Sequence, residues 1–262
     1  MDTGTGWMGA GDAARLSPAA CDRLRRPVVY AGAVNDQAPS TPLPEAEHEK
    51  RLAAEAAAEL VEDGMTVGLG SGSIVAYLLP ALAARKLDIR CVATSPATAR
   101  QAIGLGLDVL DFSGAEAPAR LDIAIDGADQ VAPSGWVIKG GGAAHTREKA
   151  VAAASSRFVV IVSSNKLVER LSPPVPLELA QFGLAATLRR LEHARIRGVP
   201  LSPDGGVIAD YVAEFDDPEA LSARLSATTG VVEHGLFPAS MVAVVIVGRD
   251  DGVERVTPRV RH

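Results

Sequence analysis

From Glu45 onward the chain alternates between two hydrophobic rhythms. Leu52, Ala56 and Leu60, together with Ala53, Ala57 and Val61, recur at the spacing of one helix face, and Asp63-Gly64 closes that run. Met65 to Leu69 is a short, continuously apolar stretch, as expected of a strand covered on both faces. The pattern then predicts a helix over 74–84, a strand over 89–92, a helix over 96–103, strands over 108–110 and 121–125, a helix over 143–154 and a strand over 158–162. Strands alternating with helices at this spacing predict an α/β fold, a mainly parallel sheet with helices on both faces.

The texture changes at Pro173, Pro174 and Pro176. A helix over 184–194, a strand over 207–211 and a helix over 218–225 predict a smaller α+β domain spanning 173–240. The apolar run 241–247 reads as a strand, and periodicity leaves open whether it joins the first sheet or completes the second. The division expected is a catalytic domain over 45–172, rejoined by 241–262. Residues 1–44 mix Gly, Ala, Pro and Arg without periodicity and read as a mobile tail.

Composition narrows the function. The 262 residues are 47% hydrophobic and 22% charged, enough apolar mass for a core without disulfides or metal. A net charge of −6 argues against a nucleic-acid partner. Cys21 and Cys91 are too few for a disulfide scaffold and suit a reducing cytoplasm. No run approaches the roughly 18 apolar residues of a membrane span, and the N-terminus has no signal-peptide pattern, so no membrane partner is expected.

Three segments carry candidate chemistry. Gly68-Leu69-Gly70-Ser71-Gly72-Ser73 joins a strand to a helix, where free amides and the helix dipole favour an anion. A dinucleotide fingerprint would need glycine at 73 and an acid near Ala93-Thr94, and a Walker A loop would need a lysine; neither is present. A purely structural turn remains open, and Thr94-Ser95 reads equally as extra donors at the same rim or as a helix cap. Asp126-Gly127-Ala128-Asp129 sets two carboxylates past the end of a buried strand, where open α/β sheets form their ligand crevice, although Asp-Gly is also a common turn. Lys139-Gly140-Gly141-Gly142 offers a cation and an anion-binding nest, and Glu148 follows on the next helix. A phosphate anchor, a carboxylate base, a lysine and backbone donors are what proton transfer next to a carbonyl in a sugar phosphate requires. The five histidines show no metal-ligand spacing, so no metal is expected.

These residues resemble the A-type ribose-5-phosphate isomerases. The likeness runs from about Glu45 to the C-terminus through Gly68–Ser73, Asp126–Asp129, Lys139–Gly142, Thr146-Arg147-Glu148-Lys149, Ser164-Asn165-Lys166, Gly230-Val231-Val232 and Gly235-Leu236-Phe237. The resemblance implies a Rossmann-like domain carrying a smaller α+β domain, assembled as a homodimer or homotetramer. It implies interconversion of D-ribose 5-phosphate and D-ribulose 5-phosphate through an enediolate, without cofactor. Glu148 would move the proton, and Lys139 with the Gly140–Gly142 amides would stabilise the enediolate oxygen. Asp126 and Asp129 would hold sugar hydroxyls, one of them assisting ring opening. Ser71, Gly72, Ser73 and Ile74, with Lys50, would hold the phosphate, and Lys166 would contact substrate.

Several positions depart from the family pattern, Ser71 among them, which keeps the hydroxyl of the usual threonine. Ile74 stands for a threonine, Gln130 for an acid, His145 for a leucine, and Ser202-Pro203-Asp204-Gly205-Gly206 for Thr-Asp-Asn-Gly-Asn. The Ile74 change leaves open an isomerase of a different sugar, phosphorylated or not; a non-catalytic sugar-phosphate-binding module is the other alternative.

Overall fold

The computed structural model describes residues 44–114 and 116–258. The tail expected over 1–44 lies outside them, except for Pro44, which opens the first helix. That helix, α1 (Pro44–Ala58), leads into β1 (Thr66–Leu69), α2 (Val75–Ala84), β2 (Arg90–Ala93), α3 (Pro96–Gly104), β3 (Asp108–Val109) and β4 (Ile123–Gly127). A short antiparallel pair, β5 (Gln130–Val131) and β6 (Val137–Ile138), precedes α4 (His145–Ala154) and β7 (Phe158–Ser163).

With β13 (Val242–Arg249) and β14 (Gly252–Val256), six parallel strands and one antiparallel edge strand make the main sheet, in the order β14-β13-β7-β4-β1-β2-β3. Strand β13 pairs parallel with β7, so the apolar run left open by its periodicity belongs to this sheet; β14 closes its edge. Alternate residues face opposite sides. Ile123, Ile125, Val159 and Ile161 pack under α1 and α2, whereas Ala124, Val160 and Val162 pack under Val151 and Ala152 of α4. The buried alanines 53, 54, 57 and 58 let α1 lie close to the sheet, where Gly248 leaves room for the Glu49 carbonyl. The α/β class expected from the alternation of elements is what the structure has.

A second core gathers around the antiparallel sheet β11-β8-β10-β9, made of β8 (Val175–Leu179), β9 (Ala194–Ile196), β10 (Val207–Tyr211) and β11 (Val231–His234). Helices α5 (Leu184–Leu191) and α6 (Pro218–Ser226) supply Leu191, Leu221 and Leu225 to it. Strand β12 (Leu236–Phe237) pairs with β6 and links the two cores. The helix expected over 184–194 is shorter, because the chain turns at Glu192 (φ 55°) and Ala194 enters β9. The proline-rich stretch at 173–176 runs into β8, where Pro176 stands opposite Asp210. Among the described residues no helix is long and apolar enough to cross a membrane.

Candidate active site

The C-terminal ends of β1, β4 and β7 open onto a cavity of about 140 Å³. Every residue predicted for the site lines it except Asp126; Ile161, Val162 and Ser163, from the end of β7, line it unpredicted. Asp126 sits behind the wall, 3% exposed. The reason is that β4 continues through Asp126 and Gly127, paired with Val160 and Ile161, where the sequence suggested that the strand had ended.

Lys139 joins the acids. Its Nζ lies 2.8 Å from Asp126 Oδ2 and 3.0 Å from Glu148 Oε2, and donates to the Gly127 carbonyl at 2.6 Å. Those three contacts use the three protons of the ammonium. Among the described residues no other donor reaches Asp126 Oδ2 or Glu148 Oε2. The remaining oxygens take neutral donors: Glu148 Oε1 accepts from the Ser71 hydroxyl at 2.6 Å, and Asp126 Oδ1 accepts from the amides of Ser71 (3.1 Å) and Gly127 (2.7 Å). Glu148 is only 5% exposed, so the helical acid that could have faced solvent is turned inward.

Two buried carboxylates share one cation here. Burial, then repulsion from Glu148, pushes the Asp126 carboxyl up to about 7 despite its contact with Lys139. Burial alone would depress the Lys139 ammonium; the two carboxylates more than offset it and hold it above its ordinary range. Lys139 is therefore a fixed positive charge, and Asp126 is poised near neutrality.

Local structure explains these positions. Gly70 carries no side chain because Asp126 fills the space: a Cβ there would lie 2.5 Å from Asp126 Cβ and closer still to the carboxyl atoms. In α4, the three neighbours of Glu148 in Thr146-Arg147-Glu148-Lys149 all reach the antiparallel part of the molecule. Thr146 donates to the buried Glu178 of β8, which also accepts from Ser202. Arg147 forms a two-pronged pair with Asp204, at 2.7 Å on both prongs. Lys149 reaches Glu233 (2.7 Å) and the His234 carbonyl (2.6 Å) above the Phe237 ring. Asp129 faces the cavity and accepts from the Gly141 amide at 2.7 Å.

At the turn that follows β1, some assignments shift. The Ser71 hydroxyl is engaged by Glu148, which leaves Ser73, Lys50 and Lys166 with the free amides of the turn. Ile74 stands at the N-cap of α2 without a side-chain cap, and its Cγ2 packs where a Gly127 Cβ would be, at 2.7 Å. Lys50 pairs with Glu47 at 2.7 Å, and Glu47 also accepts from the Tyr77 hydroxyl; neither partner was signalled by the sequence. Ser95 caps α3, accepting from the Thr98 amide at 3.1 Å, and so serves as a cap. Gln130 donates to the Ser172 carbonyl and accepts from its amide, both at 2.9 Å, a pairing an acid could not make. Among the described residues no His, Cys, Asp and Glu cluster is arranged to hold a metal ion.

The family model for ribose 5-phosphate isomerase A (phosphoriboisomerase A) matches residues 90–252. The chain is similar to a ribose-5-phosphate isomerase A of Caulobacter sp. (strain K31), with 43% identity over 228 residues that cover 81% of this chain and 99% of that protein. Its structure is similar to that of ribose 5 phosphate isomerase A from Neisseria gonorrhoeae, with a TM-score of 0.77, 31% identity, and coverage of 82% and 98% of the two chains. It is also similar to a D-ribose-5-phosphate isomerase solved in complex with phospho-erythronic acid, with a TM-score of 0.75, 32% identity, and coverage of 82% and 100%. A match over more than half the length, with relatives this similar across nearly their whole sequences, places the chain in the ribose 5-phosphate isomerase A family.

Proposed function

We propose that this protein interconverts D-ribose 5-phosphate and D-ribulose 5-phosphate by proton transfer between C2 and C1, with Glu148 as the base. The observation that carries the reading is a glutamate enclosed in the cavity between a serine hydroxyl and a lysine ammonium, opposite a glycine-rich loop. In the aldose-to-ketose direction Glu148 takes the C2 proton, charge develops on O1, and Glu148 returns the proton to C1. Lys139 and the amides of the Gly140–Gly142 loop face that charge as it forms. Asp126, behind the cavity wall, keeps Lys139 in place through their ion pair, and the proton that leaves O2 is taken up by O1 on the adjacent carbon. Asp129 holds a sugar hydroxyl. The phosphate rests on the turn at Gly72–Ile74 with Lys50 and Lys166. Substrate and product are isomers, so the reaction needs no net oxidant or reductant.

The family relatives support the substrate, and the enclosed base supports an enzyme over a binding module. The same reading carries a cytoplasmic homodimer or homotetramer, whose mass light scattering would measure. The direct test is ketose formation from ribose 5-phosphate by wild-type protein and by Glu148→Gln. The variant should lose about a hundred- to ten-thousandfold in kcat, the range for loss of a general base, and still bind the sugar phosphate. Wild-type turnover by the glutamine variant would remove the proposed base.

A further inference from the structure

Arg197 follows β9 and belongs to none of the motifs noted in the sequence, yet it reaches the glycine loop. Its Nη1 donates to the carbonyls of Gly140 (3.0 Å) and Gly141 (3.1 Å). Nε and Nη2 are occupied by Asp210 of β10, at 2.7 and 2.5 Å. The fork with Asp210 fixes the guanidinium plane, and the third nitrogen is thereby aimed at the two peptides.

A trans peptide points its C=O and its N–H in opposite directions. The Gly140–Gly141 peptide illustrates the consequence: its carbonyl meets Arg197 on one side, and its N–H meets cavity-lining Asp129 on the other. The Gly141–Gly142 peptide has its carbonyl on the same guanidinium nitrogen, so the Gly142 N–H also faces away from Arg197, toward the cavity that Gly142 lines. No acceptor among the described residues takes that N–H.

We propose that Arg197, braced by Asp210, is a positioning residue that aims the Gly142 amide at the oxygen on which enediolate charge develops. The proposal rests on the reading of the glycine loop as the enediolate seat. A loop of three glycines has little stiffness of its own; the Ala143 N–H closes a turn on the Gly140 carbonyl (3.0 Å) and Asp129 holds the Gly141 amide, but of these contacts only that from Arg197 holds the Gly141–Gly142 peptide. Lysine at this position keeps the charge but cannot hold Asp210 and both carbonyls at once.

The test compares Arg197→Lys, Asp210→Asn and Glu148→Gln for kcat, KM with ribose 5-phosphate, and affinity for 4-phospho-erythronic acid, whose carboxylate mimics the enediolate. Arg197→Lys should lower kcat about ten- to a hundredfold, leave KM within about twofold of wild type, and weaken the analogue by the same factor as kcat/KM. Asp210→Asn should show the same pattern more mildly, which guards against a folding defect peculiar to one variant. Wild-type kcat in Arg197→Lys overturns the proposal, and so does a lower kcat with unchanged analogue affinity. Glu148→Gln separates the two readings: it should lose turnover while binding the analogue at least as well as wild type. Normal turnover there sinks the isomerase mechanism, whatever Arg197 does.

Discussion

Gly70→Ala is the sharpest single-atom test of how the site is built. A methyl group at this position would lie 2.5 Å from Asp126 Cβ and nearer still to its carboxyl. Contacts below 3.0 Å essentially never occur for a Cβ, so Asp126 must move. Asp126 is the last residue but one of a strand paired on both sides and cannot retreat with its backbone, so the carboxylate swings instead. That breaks two hydrogen bonds that the Ser71 and Gly127 amides donate to Oδ1, each worth about 1.5–3 kcal/mol to a charged acceptor. The expected loss is about 3–6 kcal/mol, a fall in Tm of roughly 6–24 °C for a domain of this size. Lys139 loses its partner at 2.8 Å in the same step, so kcat should fall more than the fraction of folded protein does. Gly72→Ala is the control. Gly72 has φ 91° with no atom within 4 Å of the added methyl, so only the left-handed backbone resists, at about 1–2 kcal/mol. Calorimetry and steady-state kinetics on both variants decide the matter. If Gly70→Ala melts no lower than Gly72→Ala and keeps wild-type kcat, Asp126 is not held as described.

Three further outcomes are expected. Asp126 titrates near 7 beside the base, so kcat should rise as pH climbs through that value and adds a negative charge next to Glu148. Asp126→Asn should remove that limb of the pH–rate profile, and its persistence would count against the assignment. Ile74→Thr restores a hydroxyl beside the turn and should lower KM for ribose 5-phosphate by roughly tenfold, the scale of one hydrogen bond to a charged group; an unchanged KM means the phosphate is held elsewhere. His145 is fully buried beneath Gly140, neither ring nitrogen meets a partner in hydrogen-bond geometry among the described residues, and burial with the Lys149 and Arg197 charges pulls its pKa down to about 4. The unfolded chain binds that proton from about 6.5 downward, so stability falls as pH drops from 6.5 toward 4. His145→Leu should stabilise the fold by about 1–3 kcal/mol and shrink that acid-side loss, both measurable by thermal melts at pH 7 and pH 5.

The parallel sheet was legible because its strands are continuous apolar runs between helices of matching period. What escaped was short or compromised. Strands β5, β6 and β12 have two residues each, and β8 begins among prolines, so neither alternation nor composition announces them. The extension of β4 through Asp126 escaped for a related reason: an Asp-Gly pair reads locally as a turn, and only pairing with β7 keeps it extended. The site residues were legible as a set, since glycine, aspartate, lysine and glutamate cluster in sequence. Their directions were not. Nothing near Ser71 indicates that its hydroxyl serves Glu148, 77 residues away, and nothing near Arg197 points to a loop 56 residues earlier.

Those long-range contacts divide the work between the two parts of the fold. The parallel sheet delivers the two acids, Asp126 on a strand and Glu148 on a helix laid against it, while Lys139 comes from just past β6 of the small antiparallel pair. None of these is aimed by the sheet alone. Consecutive helical residues are splayed by about 100°, so with Glu148 turned into the cavity its neighbours Thr146, Arg147 and Lys149 face Glu178, Asp204 and Glu233. Arg197 does for the glycine loop what those three do for the helix. The four-stranded antiparallel part thus sets the angle of approach without contributing a group to the cavity lining. Its residues should therefore govern kcat more than KM, and the departure at Ser202–Gly206 falls where such control is exerted: Ser202 shares Glu178 with Thr146, and Asp204 holds Arg147.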